Sequence, residues 1–175
     1  LADDPIGRHF KRVNLNLYVG VRVGWDTLAR ASEVCSITLQ DIDLDNRLVF
    51  IHAKKGSRPA WAKITEESAQ RIEDVIRYRQ NYLLEGKKGK PVSPTSWSVQ
   101  FHRFCKKLFG RPPEKVRYWR WHDWARHTRI TLLFDEGYSM DDIQAMARHK
   151  KRSSTEIYLT LERVRKRFLE MAGGM

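Results

Sequence analysis

The residue types best suited to chemistry lie between Arg126 and Tyr158, with His149 between them. A tyrosine hydroxyl is a nucleophile, and a histidine beside it can hold it or its target by a hydrogen bond. Arginines neutralise the charge that develops on the nonbridging oxygens of a reacting phosphate, because the planar guanidinium donates two parallel hydrogen bonds. A second arginine of this kind, Arg30, lies far upstream. Together these residue types favour phosphoryl transfer, with all four side chains around one DNA phosphate.

Phosphoryl transfer can also be carried out by a pair of metal ions, which would need clustered Asp, Glu and His ligands. No group of these residues has a convincing ligand spacing, so we expect neither a metal nor another cofactor. The two cysteines, Cys35 and Cys105, also lack such a spacing. Both lie among apolar residues of predicted helices, which indicates buried thiols and suits a reducing compartment.

The chain is strongly basic, with 175 residues, a formal net charge of +12 and a pI of about 10. A charge excess of this size indicates a polyanionic partner rather than a basic surface that is merely solvated. Acidic membrane lipid is a weaker alternative, because no stretch resembles a basic amphipathic membrane helix. No apolar run approaches the ~20 residues of a membrane span, and no secretory signal is present in the sequence. We therefore expect a cytoplasmic protein.

Hydrophobic periodicity predicts a mostly helical α+β domain with a small antiparallel sheet. The sheet is expected to be a β-hairpin over about residues 47–64, since two short strand-like runs flank a turn of Lys, Gly and Ser. Helices are predicted at residues 6–29, 27–39, 65–84, 94–108, 123–136 and 139–147, and near the end at 162–171.

Three tryptophans, Trp119, Trp121 and Trp124, lie close together and alternate with arginines just before the predicted helix at 123–136. Two interpretations are open. The rings could pack into the core where that helix begins, or they could line a nucleic-acid surface together with the arginines.

Several short motifs, in this order, resemble those of the catalytic domain of the tyrosine recombinases, also called the phage integrase family. They are Arg30-Ala31-Ser32-Glu33, Lys54 at the hairpin tip, Arg126-His127-Thr128, Ala147-Arg148-His149 and Thr155-Glu156-Ile157-Tyr158. Each motif alone is weak, but the ordered set covers essentially the whole chain. The resemblance implies a site-specific recombinase or integrase that cleaves and rejoins DNA without metal or ATP. Because the sequence begins at Leu1 without a methionine, we expect residues 1–175 to be a single catalytic domain taken from a longer protein. The resemblance implies that the upstream part is a helical DNA-binding domain and that the partner is double-stranded DNA.

The resemblance also implies roles for individual side chains. Tyr158 would attack the scissile phosphate and form a 3′-phosphotyrosyl bond that stores the energy for rejoining. Arg30 and Arg126 would clamp the nonbridging oxygens, with Glu33 supporting that arginine site. His149 would hydrogen-bond the phosphate or the tyrosine oxygen. Whether Tyr158 lies ready in the isolated domain or is held away until partners assemble stays open.

The same resemblance implies that a lysine at the hairpin tip protonates the leaving 5′-oxygen. Lys54 is the expected residue, and its neighbour Lys55 is the alternative. Further contacts to DNA phosphates are expected from exposed basic side chains, which would make binding salt-dependent. These are Lys55, Arg58, Lys150, Lys151 and Arg152.

Two positions depart from the family pattern. Asp123 stands three residues before Arg126, where the family usually has a histidine, and a carboxylate there would repel a phosphate. We hypothesise that Asp123 turns away, as an N-cap, and that His122 supplies the imidazole from a shifted backbone; otherwise no histidine fills the position. Arg148 replaces the usual glycine before His149 and is expected to add a cation near the phosphate.

Two alternatives to a recombinase remain at this stage: a type IB topoisomerase, and a recombinase-derived DNA-binding protein that no longer cuts. The amphipathic helix at 162–171 could dock onto a second copy of the chain and support a synaptic dimer or tetramer, or it could pack on its own domain. The resemblance places such a protein in a bacterial or archaeal cell, or in a virus or mobile element acting there.

Overall fold

The structure, a computed structural model, describes residues 14–54, 57–111 and 119–158. These residues form helices packed around a small sheet, which confirms the predicted α+β class. Within these ranges no helix has the length and apolar character needed to cross a membrane. The helices are α1 (Leu15–Thr27), α2 (Ala31–Val34), α3 (Glu66–Ile76), α4 (Pro94–Phe109), α5 (Arg129–Asp135), α6 (Met140–Met146) and α7 (residues 153–158), with a π-helical segment at Asp123–Thr128 and 3-10 turns at Leu39–Asp41 and Lys87–Gly89.

The sheet has three antiparallel strands in the order β1 (Ile42–Asp43), β2 (Leu48–Ile51) and β3 (Ala60–Lys63). Strands β2 and β3 are the predicted hairpin, which is confirmed, and the short β1 is an addition to the prediction. Val49 and Ile51 of β2 are fully buried while the residues between and before them are partly exposed, as expected for a strand with one face on the core. Strand β2 therefore turns one face to the core.

The predicted helix over residues 27–39 is wrong. Helix α1 ends at Thr27, Leu28 adopts left-handed backbone dihedrals (φ 54°), and Arg30 is extended before the four-residue α2. The carbonyls of Thr27 and Leu28 accept hydrogen bonds from the buried guanidiniums of Arg148 and Arg126, at 2.6 Å in each case. These distant side chains therefore satisfy the carbonyl groups that a continuing helix would have bonded.

Trp121 lies in the main core, which resolves the open question about the tryptophans in favour of packing. Its ring is 3% exposed and meets Trp97 and Phe101 in edge-on contacts. The ring also lies directly over Gly24 of α1, where a Cβ would collide with it. Trp119 and Trp124 are partly buried against the same core.

The expected buried thiols are confirmed, since Cys35 and Cys105 are both 3% exposed. Burial raises the pKa of Cys35 to about 12 and that of Cys105 to about 11, so both remain protonated at neutral pH.

The turn between helices α5 and α6 could be predicted from its own residues. Gly137 takes a positive φ of 90°, which glycine adopts without strain. Ser139 then caps α6: its hydroxyl accepts from the Asp142 amide at 3.1 Å, and the Asp142 carboxylate accepts from the Ser139 amide at 3.3 Å. This turn places the chain after α6, with His149, next to the end of α1. The predicted helix at 162–171 lies outside the described residues.

Candidate functional site

Arg126 is the centre of a buried cluster, with a fully buried side chain in the π-helical segment. Its Nη1 donates to the Leu28 carbonyl at 2.6 Å, and its Nη2 donates to the Ala147 carbonyl at 2.9 Å and to His149 Nε2 at 2.6 Å. Burial and the positive charge of Arg30 lower the pKa of Arg126 to about 10, so it remains charged at neutral pH. One side chain thus joins three distant parts of the chain.

Glu33 is the carboxylate around which the arginines gather, and it too is fully buried. It accepts hydrogen bonds from the Arg30 amide at 2.9 Å and from Arg30 Nη1 at 3.1 Å. Arg148 Nη2 lies at 3.1 Å and Arg126 Nη1 at 3.9 Å from its Oε2. Burial alone would raise the pKa of Glu33, but Arg148, the Arg30 amide, Ser57 and Arg126 outweigh it and lower the pKa, so Glu33 stays ionised.

Arg148 points into the protein interior, where its guanidinium pairs with Glu33; its effect on a bound phosphate stays a prediction. Its side chain is 2% exposed, and besides Glu33 it donates to the carbonyls of Thr27 and Met146. Its backbone is left-handed (φ 56°), which is a conformation that glycine adopts more readily. The residue therefore keeps the backbone shape suited to the usual glycine while its side chain pairs with Glu33.

His149 is 4% exposed and is held from both ring nitrogens. Because Nε2 accepts from Arg126, Nδ1 carries the proton and donates to Thr155 Oγ1 at 2.8 Å. Burial and the neighbouring guanidiniums of Arg126, Arg30 and Arg148 lower the pKa of His149 to about 4. The imidazole is therefore neutral at pH 7, with its tautomer fixed by Arg126 and its Nδ1 proton held by Thr155.

Tyr158, on α7, lies within this cluster in the same chain. It is 7% exposed and packs in a second core cluster with Leu28 and Ile130. Its ring stacks on that of His149 (centroids 6.1 Å apart, planes 5° apart) and meets His127 edge-on at 4.6 Å. The tyrosine ring thus lies against the two histidines of the same chain, and the readiness of its hydroxyl for attack stays a prediction.

The tip of the hairpin is fastened to the segment that carries His149. Ser57 is fully buried and forms a β-bridge with His149, and the Arg58 amide donates to the Arg148 carbonyl at 3.1 Å. The Lys54 amide donates to Ser57 Oγ at 3.0 Å, while the Lys54 side chain is exposed. Lys55 lies outside the described residues, so the choice between Lys54 and Lys55 stays open.

The π-helical segment changes the surroundings of Arg126. His122 is half-exposed, and its pKa is lowered by partial burial, then by His127, and then by Arg126. His122 and Arg30 line the same cavity. Asp123 lies inside the helical run and forms no N-cap; its carboxylate is 4.0 Å from Arg120 Nε and 3.8 Å from His122 Nδ1. The i→i+5 winding is a shifted backbone of the kind that the His122 hypothesis needs, and the role itself stays a prediction.

The exposed basic residues expected to contact DNA surround this cluster. One of them, Arg152, is engaged by Asp141 at 2.8 Å and by Glu156 at 3.5 Å. The exposed members among the described residues are Arg58, Lys150, Lys151 and Arg152.

Two supporting residues were not identified from the sequence. Thr155 holds His149 Nδ1, and its signal was available, because it opens the motif that ends in Tyr158. Ser57 pairs the hairpin with His149, and no local pattern indicates a contact of that range.

The phage integrase family model matches residues 11–164 of this chain. Tyrosine recombinase XerA of Thermococcus kodakarensis is 29% identical over 146 residues, which are 78% of this chain and 49% of that protein. Tyrosine recombinase XerA of Saccharolobus solfataricus is 26% identical over 152 residues, covering 86% of this chain and 48% of that protein. The chain therefore spans about half the length of these curated relatives.

Solved structures share the same fold at low sequence identity. The crystal structure of XerA recombinase superimposes with a TM-score of 0.71 at 20% identity, over 83% of this chain and 53% of that chain. XerH recombinase bound to a palindromic difH substrate in a post-cleavage complex gives a TM-score of 0.72 at 16% identity, over 96% of this chain and 49% of that chain. These likenesses confirm the fold expected from the motifs.

Proposed function

We propose, from the premise that this chain belongs to the phage integrase family, that it is the strand-cleaving and rejoining part of a site-specific DNA recombinase. The observation that carries the proposal is the convergence of Arg126, His149 and Tyr158 with the Arg30–Glu33 pair, from opposite ends of the chain. A tyrosine, a neutral histidine and two arginines in one cluster are the groups that a metal-independent phosphoryl transfer needs.

A phosphate has free donors to bind in this cluster. The Arg30 side chain is 27% exposed and, among the described residues, makes its ion pair with the buried Glu33, so it can reach a ligand at the surface. Within the described ranges, the Nε–H of Arg126 has no hydrogen-bond partner despite being buried. Unpaired buried donors are costly, and an anionic oxygen would satisfy this one. We assign the phosphate clamp to Arg30 and Arg126, with Glu33 fixing their positions.

In the proposed cleavage, the Tyr158 oxygen forms a bond to phosphorus while the bond from phosphorus to the 5′-oxygen breaks. Lys54 donates a proton to that oxygen, which leaves as a hydroxyl, with Lys55 as the alternative donor. The phenol proton passes to water or to His149. The present pKa of His149 is about 4, and a phosphate anion beside the ring would raise it. Rejoining is the reverse of these steps, so it needs neither a metal nor ATP.

The position of the second-motif histidine is assigned to His122. Partial burial and then the positive charges of Arg126 and Arg30 lower the pKa of its imidazole, whereas the Asp123 carboxylate lies 4.0 Å from Arg120 Nε. His122 would donate to a nonbridging oxygen once the phosphate is bound.

The wider assembly follows from the same proposal. Lys150, Lys151 and Arg152 would contact DNA phosphates beside the site, and Lys55 and Arg58 would do so from the hairpin. The full-length protein would add a helical DNA-binding domain and would act as a synaptic dimer or tetramer, with residues 162–171 as the contact between copies. The named relatives come from archaea, and cytoplasmic DNA is the expected substrate.

Covalent trapping tests the proposal. The protein is incubated without metal with supercoiled plasmid and with nicked duplexes, whose broken strand prevents rejoining, and the reaction is stopped in detergent. We expect a protein–DNA adduct with wild type and none with Tyr158→Phe, which removes only the hydroxyl. The experiment is repeated with a full-length protein, because the chain spans about half of its relatives.

Each outcome has a distinct meaning. DNA binding by the full-length protein without any adduct would overturn the cleavage proposal in favour of a non-cutting DNA-binding protein. Relaxation of the plasmid without exchange between two sites would instead indicate a topoisomerase. Equal adduct formation by His122→Ala and wild type would remove the role assigned to His122.

A further inference from the structure

Three ligand-type side chains meet on the exposed side of the π-helical segment. Two imidazoles, of His122 and His127, and the carboxylate of Asp123 each offer a donor atom, and these atoms all lie within 4.8 Å of one another. The two imidazole rings meet edge-on with centroids 5.1 Å apart. None of the phosphate chemistry proposed above requires all three side chains to converge.

The π-helical winding produces this arrangement. In an α-helix of 3.6 residues per turn, positions five residues apart point about 140° away from each other, so His122 and His127 would diverge. The i→i+5 hydrogen bonding of a π-helix widens the turn and brings such positions together. Sequence spacing alone therefore gave no sign of a metal-binding group here.

Two imidazoles and one carboxylate form a ligand set suited to Zn²⁺ and related transition ions. Such an ion takes nitrogen and oxygen ligands at about 2.0–2.2 Å, so donors around it lie a little over 3 Å apart. His122 Nδ1 and Asp123 Oδ1 are already 3.8 Å apart. Both side chains are about half-exposed, at 50% and 45%, so small rotations in solvent can close the remaining gap. Arg120, 4.0 Å from the Asp123 carboxylate, would have to release it.

We propose that His122, Asp123 and His127 form a binding site for one divalent transition ion of the Zn²⁺ type. The ion would have three protein ligands and an open position towards solvent. It is not part of the cleavage chemistry. His127 packs edge-on against Tyr158 at 4.6 Å, so the bound ion would lie next to the proposed nucleophile and would hold His122 away from a phosphate. This effect on cleavage rests on the proposed function, whereas the binding itself does not.

Direct binding of Zn²⁺ tests the site without DNA. The protein, free of any histidine tag, competes with a chromophoric zinc indicator, and the stoichiometry and affinity are measured. We expect one ion per chain in wild type, and weaker binding by at least about tenfold in His127→Gln and in Asp123→Asn, since even the loss of a ligand's hydrogen-bond partner costs that much. His52→Gln is the matched control, because it removes a histidine just after β2, where it pairs with Asp41. Equal zinc binding by all four proteins would overturn the proposal, as would no binding by folded wild type.

A second measurement keeps the site separate from the cleavage proposal. Zn²⁺ should raise the melting temperature of wild type and of His52→Gln but not of Asp123→Asn, because only a protein with the site is stabilised by the ion. In the trapping assay, Zn²⁺ should lower the adduct yield of wild type relative to its own metal-free yield, and a chelator should restore it. Zinc binding without any adduct would contradict the proposed cleavage and leave the metal site intact. An adduct yield that bound zinc leaves unchanged would contradict the inhibitory effect.

Discussion

Replacing Glu33 by glutamine should destabilise the protein far more than a usual loss of one charge. Glu33 is fully buried and lies within 3.1 Å of donors on Arg30 and Arg148 and 3.9 Å from Arg126. The side chains of Arg126 and Arg148 are themselves 0% and 2% exposed. Glu33→Gln therefore leaves two buried cations without their counter-charge. Breaking a buried ion pair from one side costs about 3–5 kcal/mol, which is a large part of a typical stability of about 5–15 kcal/mol.

A double-mutant cycle separates the lost pair from other effects of the substitution. Arg148→Met removes the guanidinium that pairs with Glu33 but fills a similar volume. If the cost of Glu33→Gln comes from stranded charge, the double variant should be more stable than the sum of the two single losses predicts. For groups in direct contact, this coupling is about 0.5–3 kcal/mol.

Urea unfolding followed by tryptophan fluorescence measures these free energies, since the buried Trp121 reports on the core. Glu67→Gln is the matched control: Glu67 bonds Arg71 at 2.6 Å, but its side chain is 52% exposed, and exposed pairs contribute about 0–1 kcal/mol. A loss at Glu33 no larger than the loss at Glu67, or strictly additive losses at Glu33 and Arg148, would refute the reasoning.

Three further predictions concern packing, acid stability and DNA affinity. Gly24→Ala should cost about 1–3 kcal/mol, seen as a lower urea midpoint, because the new Cβ collides with the Trp121 ring; an unchanged midpoint would mean that the ring moves freely. Folding lowers the pKa of His149 from 6.5 to about 4, so below pH 6.5 the unfolded chain binds a proton that the folded protein does not. The free energy of unfolding should therefore fall by about 3 kcal/mol as the pH drops from 6.5 towards 4. Urea midpoints across this range should fall less steeply in His149→Gln than in wild type. Replacing Lys150 and Lys151 by alanine should reduce the salt dependence of DNA binding by about 0.9 in the log–log slope for each phosphate contact removed, and an unchanged slope would place these lysines off the DNA.

The fold could be predicted where its signals are local. Helix α4 begins where Ser93 accepts from the Ser96 amide, and α6 begins at the reciprocal Ser139–Asp142 bonds, and both starts are visible in the sequence. The break after α1 could not be predicted, because it depends on carbonyl partners more than ninety residues away in sequence. Apolar periodicity continues through Thr27–Leu39 and gives no warning of those buried arginines.

The candidate site divides in the same way. The order of the motifs was enough to identify Arg30, Arg126, His149 and Tyr158, which the structure brings together. The direction of the Arg148 side chain could not be predicted from the sequence. An arginine at a position where the family usually has glycine gives no information about which part of the protein its side chain contacts. The π-helical winding was equally hidden: a run that reads as an ordinary helix contains a wider turn, which brings His122, Asp123 and His127 together.

The contacts of Arg126 also determine how its substitution should be interpreted. Its guanidinium donates to the Leu28 carbonyl at the end of α1 and to the Ala147 carbonyl at the end of α6. It therefore holds the segment before Arg30 and the segment before His149 in place before any phosphate binds. Loss of activity on replacing Arg126 therefore combines a lost phosphate contact with a misplaced His149. Arg30 differs, because its side chain is partly exposed and pairs with the neighbouring Glu33. Substitution of Arg30 should consequently reduce cleavage while leaving the fold largely intact, which makes Arg30 the better position at which to measure what a guanidinium contributes to the chemistry.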